Sequence, residues 1–261
     1  MIYLSRQLLD PRSRAVQHDL ADCHQLHRTV MHAFPTLPDG AAVAEPREHY
    51  RVLYRVDEGR RGLSLLVQSA HVPDWSHLLP GYLHTAQAAA TVDNPSIKRV
   101  DHLYDELHPD MVLTFRLRAN PTRKIDTHGG PTSGERRNGR RVELYREEDR
   151  LAWLHRKAGQ HGFEVLASKL APGISDAHVG TIGKVTGHKM ATVDTSQQRC
   201  ETSLTFGAAV FEGRLRVVDS DALRNALVQG IGSGKAYGFG LLSLAPARQR
   251  DAMATTGTME R

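Results

Sequence analysis

The sequence predicts an α+β fold built from two similar halves, and three observations predict it. Short apolar runs alternate with helical stretches along residues 1–121. A comparable alternation returns over residues 143–246. Between them, residues 122–142 are basic and rich in glycine and serine, which reads as a linker. The order β-α-β-β-α-β in the first half is the ferredoxin-like pattern. The expected architecture is therefore two tandem ferredoxin-like (RRM-like) domains, each an antiparallel sheet with helices on one face. Residues 247–261 carry no apolar pattern and are expected to form a disordered tail.

Each element has its own signal. Ile2–Leu9 alternates as a strand. Asp22–Phe34 reads as a helix, with Asp22 and Gln25 at capping-box spacing. Tyr50–Val56 and Leu63–Ala70 are strands around the turn Asp57 to Gly62, which suits a hairpin. Leu83–Val92 is weakly helical, and Met111–Leu117 closes the half as a strand. In the second half, Glu147–His161 places Leu151, Leu154 and Ala158 at helical spacing, with Gly162 as the stop. Phe163–Leu170, Val179–Val193 and Thr202–Val218 read as strands or hairpins. Asp219–Val228 is a short helix with an Asp or Ser cap, and Gly238–Ala245 is the last strand.

Composition narrows the function classes. The 261 residues are 40% hydrophobic, enough for a packed core, and carry a net charge of +5. Residues 116–141 hold eight Arg or Lys against two Asp or Glu, so that one segment supplies the whole positive excess. A basic segment of this kind suits a polyanionic partner. Cys23 and Cys200 make neither a disulfide framework nor a CxxC zinc pair. No run approaches the roughly 18 apolar residues of a membrane span. The expected location is cytoplasmic. Aromatic residues are 6% of the chain and no RNP-type run occurs, which disfavours an RRM-like binder of single strands.

Two motifs carry possible chemistry. Gly230, Gly232, Gly234, Gly238 and Gly240 fall in eleven residues, with Lys235 among them. Such a loop can form a nest of amides for phosphate. It lacks the GxxxxGK[ST] order of a Walker loop and does not open a helix after a strand. A plain helix-to-strand connection is the competing reading. On the helix at Asp22–Phe34, a 100° step per residue gathers Cys23, Leu26, Val30, Ala33 and Phe34 on one buried arc. His24, His27, Arg28 and Met31 fall on the adjoining arc. Imidazoles with an ordinary pKa near 6.5 exchange protons at neutral pH. Two of them beside an arginine suit phosphodiester chemistry. Boundary histidines with a structural role, or a metal pair lacking a third ligand, compete with that reading.

Several ordered motifs resemble the CasE family of type I-E CRISPR endoribonucleases. They are Tyr3-Leu4-Ser5-Arg6, His18-Asp19-Leu20, His24-Gln25-Leu26-His27 and His32-Ala33-Phe34-Pro35. Further on come Phe115 to Pro121, Trp153-Leu154, Gly162-Phe163 and Val210 to Leu215 with Val218-Asp219. Gly230 to Gly240 is similar to the glycine signature of RAMP-type CRISPR proteins. The resemblance implies metal-independent cleavage of precursor CRISPR RNA at the 3′ base of a repeat hairpin. It also implies retention of the product as a Cascade subunit, and no cofactor. The family histidine on the first helix maps onto His27. The tyrosine that often precedes it by three residues is replaced by His24.

The reaction this implies is attack of the 2′-hydroxyl on the adjacent phosphate, giving a 2′,3′-cyclic phosphate and a 5′-hydroxyl. His27 is the expected proton-transfer residue, His24 a second, and Arg28 a phosphate contact. Expected RNA-binding residues are Arg116, Arg118, Arg123 and Lys124, with Arg136, Arg137, Arg140 and Arg141 in the same basic band. Lys184, His188 and Lys189 form a second group, and Gly232, Gly234, Lys235, Gly238 and Gly240 a third. A non-catalytic CRISPR-RNA-binding subunit on the same fold stays open as the alternative. A metal-dependent nuclease ranks last, because no paired-carboxylate motif such as DxD is present.

Overall fold

The computed structural model describes residues 1–37, 45–59, 62–85, 93–125, 140–168, 173–192 and 199–247. In chain order the elements are β1 (Tyr3–Leu8), α1 (Arg14–Ala21), α2 (Cys23–Met31), α3 (Pro46–His49), β2 (Leu53–Gly59), β3 (Gly62–Ser69), β4 (Ser96–Arg99) and α4 (Asp101–Asp105). They continue as β5 (Val112–Ala119), β6 (Thr122–Ile125), β7 (Arg140–Glu143), α5 (Glu147–Gln160), β8 (Phe163–Val165), β9 (His178–Thr192), β10 (Arg199–Val217), α6 (Ser220–Gln229) and β11 (Leu242–Pro246). A single 3₁₀ turn spans Lys235–Tyr237.

The first sheet has the order β2-β3-β1-β4 and is antiparallel, with Tyr3 opposite Ser69 and Arg99. The second has the order β11-β5-β10-β8, with β9 paired to β10. Both orders are those of a β-α-β-β-α-β unit whose fourth strand lies beside its first. The fold is tandem ferredoxin-like, as expected.

The division of the chain differs from the expectation at one strand. Residues 112–119, read as closing the first half, lie in the second sheet. Leu117 sits opposite Phe211 on one side and Leu242 on the other. This strand serves as the first strand of the second unit, which begins at residue 112 and not after a linker at 142. The pairing argues for a boundary before β5 in place of the expected one at 121. The reason is packing: Leu113, Phe115 and Leu117 are buried in one cluster with Trp153, Phe163, Phe211 and Leu227. Each such side chain contributes about 1.5–3 kcal/mol on burial.

The basic linker is also corrected. Its two ends pair as a ribbon, Thr122 opposite Glu143 and Ile125 opposite Arg140, so the segment leaves and rejoins the same unit. Residues 126–139 within it, including Arg136 and Arg137, lie outside the described residues.

Several smaller expectations shift. An additional helix, α1, precedes α2. The helix expected over 83–92 is not one where it is described, since Leu83 forms a β-bridge to Leu9; residues 86–92 lie outside the described part. The last strand starts at Leu242, because the glycines before it hold a loop. Residues 248–261 lie outside the described residues. Among the described residues no helix is long and apolar enough to cross a membrane.

The two units are tied together by side chains of the first reaching backbone of the second. The Tyr54 hydroxyl donates to the Ala236 carbonyl at 2.7 Å, and Gln68 Nε2 to the Leu227 carbonyl at 2.7 Å. Arg55 Nη1 donates to the carbonyls of Leu241 and Arg116. Buried backbone carbonyls need such partners, so the junction is specified by hydrogen bonds as well as apolar contact.

Candidate functional site

Helix α2 starts where it does because Asp22 caps it. One carboxylate oxygen of Asp22 accepts from the amides of His24 at 2.8 Å and Gln25 at 3.2 Å. Its other oxygen accepts from the His188 amide at 3.0 Å and faces His188 Nδ1 at 3.2 Å. The same side chain thus starts one helix and grips β9 of the other unit. Burial pushes its pKa up, but these hydrogen bonds outweigh that and hold it below the ordinary value. Gly187 lets the two approach: a Cβ there would stand 2.7 Å from both Asp22 Oδ1 and Cys23 Sγ.

The arc expected to face the core does so: Cys23, Leu26, Val30, Ala33 and Phe34 are all buried. Burial lifts the Cys23 thiol to about 11, so it is un-ionised at neutral pH. His24 and His27 are half-buried on the neighbouring arc, and Arg28 is exposed. The two imidazole centroids are 6.3 Å apart.

A third ring completes this group. Tyr237 lies 6.0 Å from His27 and 6.5 Å from His24, and stacks on Phe206 of β10 at 5.0 Å. It is delivered by the glycine-rich segment. Gly234 and Gly238 bracket the 3₁₀ turn in left-handed conformations, which glycine adopts without strain. The Tyr54 hydroxyl fixes the carbonyl before it.

Electrostatics keeps the site uncharged. Burial pushes the His27 pKa down to about 4, helped by the nearby His24, Arg47 and Lys189. Burial also lowers His24, with Asp22 pulling the other way. Tyr237 is raised, chiefly by burial. At neutral pH the three rings are therefore two free bases and one intact phenol. The Nδ1 atoms of His24 and His27 are buried with no hydrogen-bond partner among the described residues. An unmade bond at a buried polar atom costs about 1–3 kcal/mol.

The residues expected to bind RNA fall in three places. His188 and Lys189 join the histidine pocket through β9. Arg116, Arg118 and Lys184 line a cavity of about 640 Å³ with Tyr54, Asp57 and Glu212, and Tyr237 lines the same cavity. There Arg116 pairs with Glu212 at 3.2 Å and Asp57 at 3.4 Å. Arg118 lies against the Phe239 ring, 5.4 Å from its centroid. Arg116 is thus paired with carboxylates and Arg118 is half-buried beside an aromatic ring, whereas Arg123 and Lys124 are exposed.

Arg123, Lys124, Gly232 and Lys235 line a different cleft, of about 650 Å³, beneath the β6–β7 ribbon. Sequence reasoning misses three of its lining residues: the cations Arg156 and Lys157, on α5, and His161, just after it. Arg141, from the basic band, also lines it. Among the described residues that line it, none is acidic. Burial and mutual repulsion lower the pKa values of Lys157 and His161. The helical spacing of Arg156 and Lys157 is the available signal, but a polar helix face reads first as a solvated one.

The glycines themselves mostly pack against protein. A Cβ on Gly232 would approach Trp153, one on Gly238 Tyr54, and one on Gly240 the Ile231 backbone. Their spacing is explained by close packing at the junction. Among the described residues no group of three His, Cys, Asp or Glu side chains forms a metal-binding set.

By fold and site the chain is a tandem ferredoxin-like protein that sets two neutral imidazoles and a phenol beside strongly basic surfaces. It belongs to the family described as CRISPR associated protein, whose model matches residues 2–246. It is 34% identical over 251 residues to the CRISPR-associated endoribonuclease Cse3 of Thermus thermophilus, covering 94% of this chain and 100% of that one. It is 30% identical over 246 residues to the CRISPR system Cascade subunit CasE of Escherichia coli K12, covering 94% and 100%. The solved structure of Thermus thermophilus Cse3 bound to an RNA representing a pre-cleavage complex matches with a TM-score of 0.66 at 30% identity, covering 94% and 99%. The chain is a CasE-type endoribonuclease.

Proposed function

We propose that this endoribonuclease processes precursor CRISPR RNA by metal-independent attack of the 2′-hydroxyl at a repeat hairpin. On this reading the product stays bound and the protein serves as a Cascade subunit. The observation that carries the chemistry is the His27 imidazole, neutral at pH 7 and held beside His24 and Tyr237 at the junction of the units. The RNA-bound Cse3 relative and the Cascade subunit CasE support the substrate and the assembly.

Alignment of the 2′-oxygen, phosphorus and 5′-oxygen lowers the barrier by pre-ordering, since RNA brings its own nucleophile. His27, neutral at pH 7, accepts the 2′-hydroxyl proton; this assigns it the base role. His24 is a second proton-transfer group, and Arg28 a cation for the phosphate on the same helix. The hairpin stem follows the uncompensated cleft of Arg123, Lys124, Arg156 and Lys157. A-form RNA presents phosphates and shape more readily than base edges, so cations without carboxylate partners are the right lining.

The test is incubation of the repeat hairpin with the protein in EDTA, beside a copy carrying one 2′-deoxy nucleotide at the cut. Cleavage of the first alone, leaving a 2′,3′-cyclic phosphate, is the expected result. Cleavage that requires added metal would overturn the metal-free mechanism. Cleavage of the deoxy copy would overturn attack by the 2′-hydroxyl.

A further inference from the structure

An in-line transesterification moves two protons. One leaves the 2′-hydroxyl and one reaches the departing 5′-oxygen. Helix α2 supplies two imidazoles, and both are depressed by burial, so the helix carries two proton acceptors and no imidazolium donor at neutral pH. His24 can donate only from its minor protonated form, so a group that carries its proton at neutral pH has to come from another element. The 3₁₀ turn of the second unit places Tyr237 against the pair. The three ring centroids form a near-equilateral triangle with sides of 6.3, 6.5 and 6.0 Å. One tetrahedral phosphate between such rings can reach each through hydrogen bonds of about 2.7–3.0 Å.

The placement of this tyrosine is over-determined. Its ring is stacked on Phe206, the turn before it is pinned by Tyr54, and glycines in left-handed conformations bracket the turn. Position 24, one turn before His27, carries an imidazole. Lys235, in the same turn, lines the basic cleft.

We propose that Tyr237 donates the proton to the leaving 5′-oxygen while His27 takes the proton of the 2′-hydroxyl. This rests on the reading of His27 as the base. The 2′-oxygen to phosphorus bond forms and the phosphorus to 5′-oxygen bond breaks. The phenolic hydrogen ends on the 5′-oxygen, and His27 ends protonated. The His27 proton then returns to the phenolate through solvent, which restores both groups. Tyr237 is thus a catalytic residue brought in from the second unit, and the reaction centre is complete only when the two units are docked.

The test compares single-turnover cleavage of two substrates: the repeat hairpin, and the same RNA with sulfur in place of the bridging 5′-oxygen. A thiolate, with a thiol pKa of about 8.5, leaves without protonation. Tyr237→Phe keeps the ring that stacks on Phe206 and removes the proton. It is expected to slow the oxygen substrate about 10²–10⁴-fold and to cut the sulfur substrate at the wild-type rate. His27→Ala is expected to slow both. Equal slowing of both substrates by Tyr237→Phe would make the tyrosine a positioning residue and overturn the proposal. Unchanged cleavage of the oxygen substrate would overturn it as well. If the wild-type protein cuts the deoxy hairpin, the 2′-hydroxyl reading itself has failed, and the donor assignment falls with it.

Discussion

The eleven-residue glycine loop touches two regions built from similar residues to opposite ends. Tyr237 faces the histidine pocket, while Gly232 and Lys235 line the basic cleft. In the pocket, the titratable rings are partly buried and uncharged at neutral pH, and one carboxylate, Asp22, holds the frame. In the cleft, cations crowd each other, and none of the described lining residues is acidic. On the proposed reading the pocket moves protons and the cleft holds phosphates. A positive residue therefore has no fixed meaning in this chain: Arg123 is open to a ligand, whereas Arg118 is packed under Phe239.

The largest expected effect separates chemistry from binding. His27→Ala should slow single-turnover cleavage about 10²–10⁴-fold and leave hairpin affinity near wild type, measured by filter binding. A parallel fall in affinity would merge the two regions into one. Next, the cleft should carry the salt dependence. Neutralising Arg123, Lys124, Arg156 and Lys157 together should flatten the slope of log affinity against log salt. The change should be about 0.9 for each phosphate left without its cation, the constant measured for B-DNA. Arg116→Gln and Arg118→Met should leave that slope unchanged. A slope that responds to Arg118 and not to the cleft would reverse the comparison.

A smaller effect concerns the frame. Asp22→Ala removes the cap of α2 and should cost about 1 kcal/mol in urea unfolding. It should also slow cleavage, because the tie to β9 at His188 goes with it. Loss of stability with full activity would show that the tie does not position the pocket.

The smallest effect within the ordinary range is that of pH. His27 titrates near 4 in the folded protein against an ordinary 6.5. Its base form is present above that folded value, so kcat/KM should hold level from pH 8 to 6 as far as His27 controls it, and fall on further acidification. Stability has the same sign. The unfolded chain protonates His27 first, so the contribution is full above pH 6.5 and is lost as pH falls toward 4. A bell centred on 6.5 would mean that the pocket leaves His27 unperturbed.

Much of the fold was legible because local rules carry it. Short apolar runs and a hairpin turn mark β1, β2 and β3, and Asp22 and Asp219 cap α2 and α6 where their short side chains predict. Half of the capping box forms: Asp22 bonds the Gln25 amide, while the Gln25 side chain accepts from Arg28. The histidine pair was legible from helical spacing. Tyr237 was not, because nothing within ten residues of it indicates that it meets a helix more than 200 positions earlier.

By itself, the sequence determined the α+β class, the tandem pattern, the helix bearing His24 and His27, and a loop of glycines at fixed spacing. These depend on periodicity, caps and backbone freedom, which act over a few residues. The tertiary structure alone decided that residues 112–119 join the second sheet, that Arg118 is half-buried against Phe239 while Arg123 is exposed, and that Tyr237 completes the pocket. These depend on which distant partner completes a sheet or excludes water. Strand 112–119 is apolar enough to suit either sheet, and the choice rests with the surfaces that it meets.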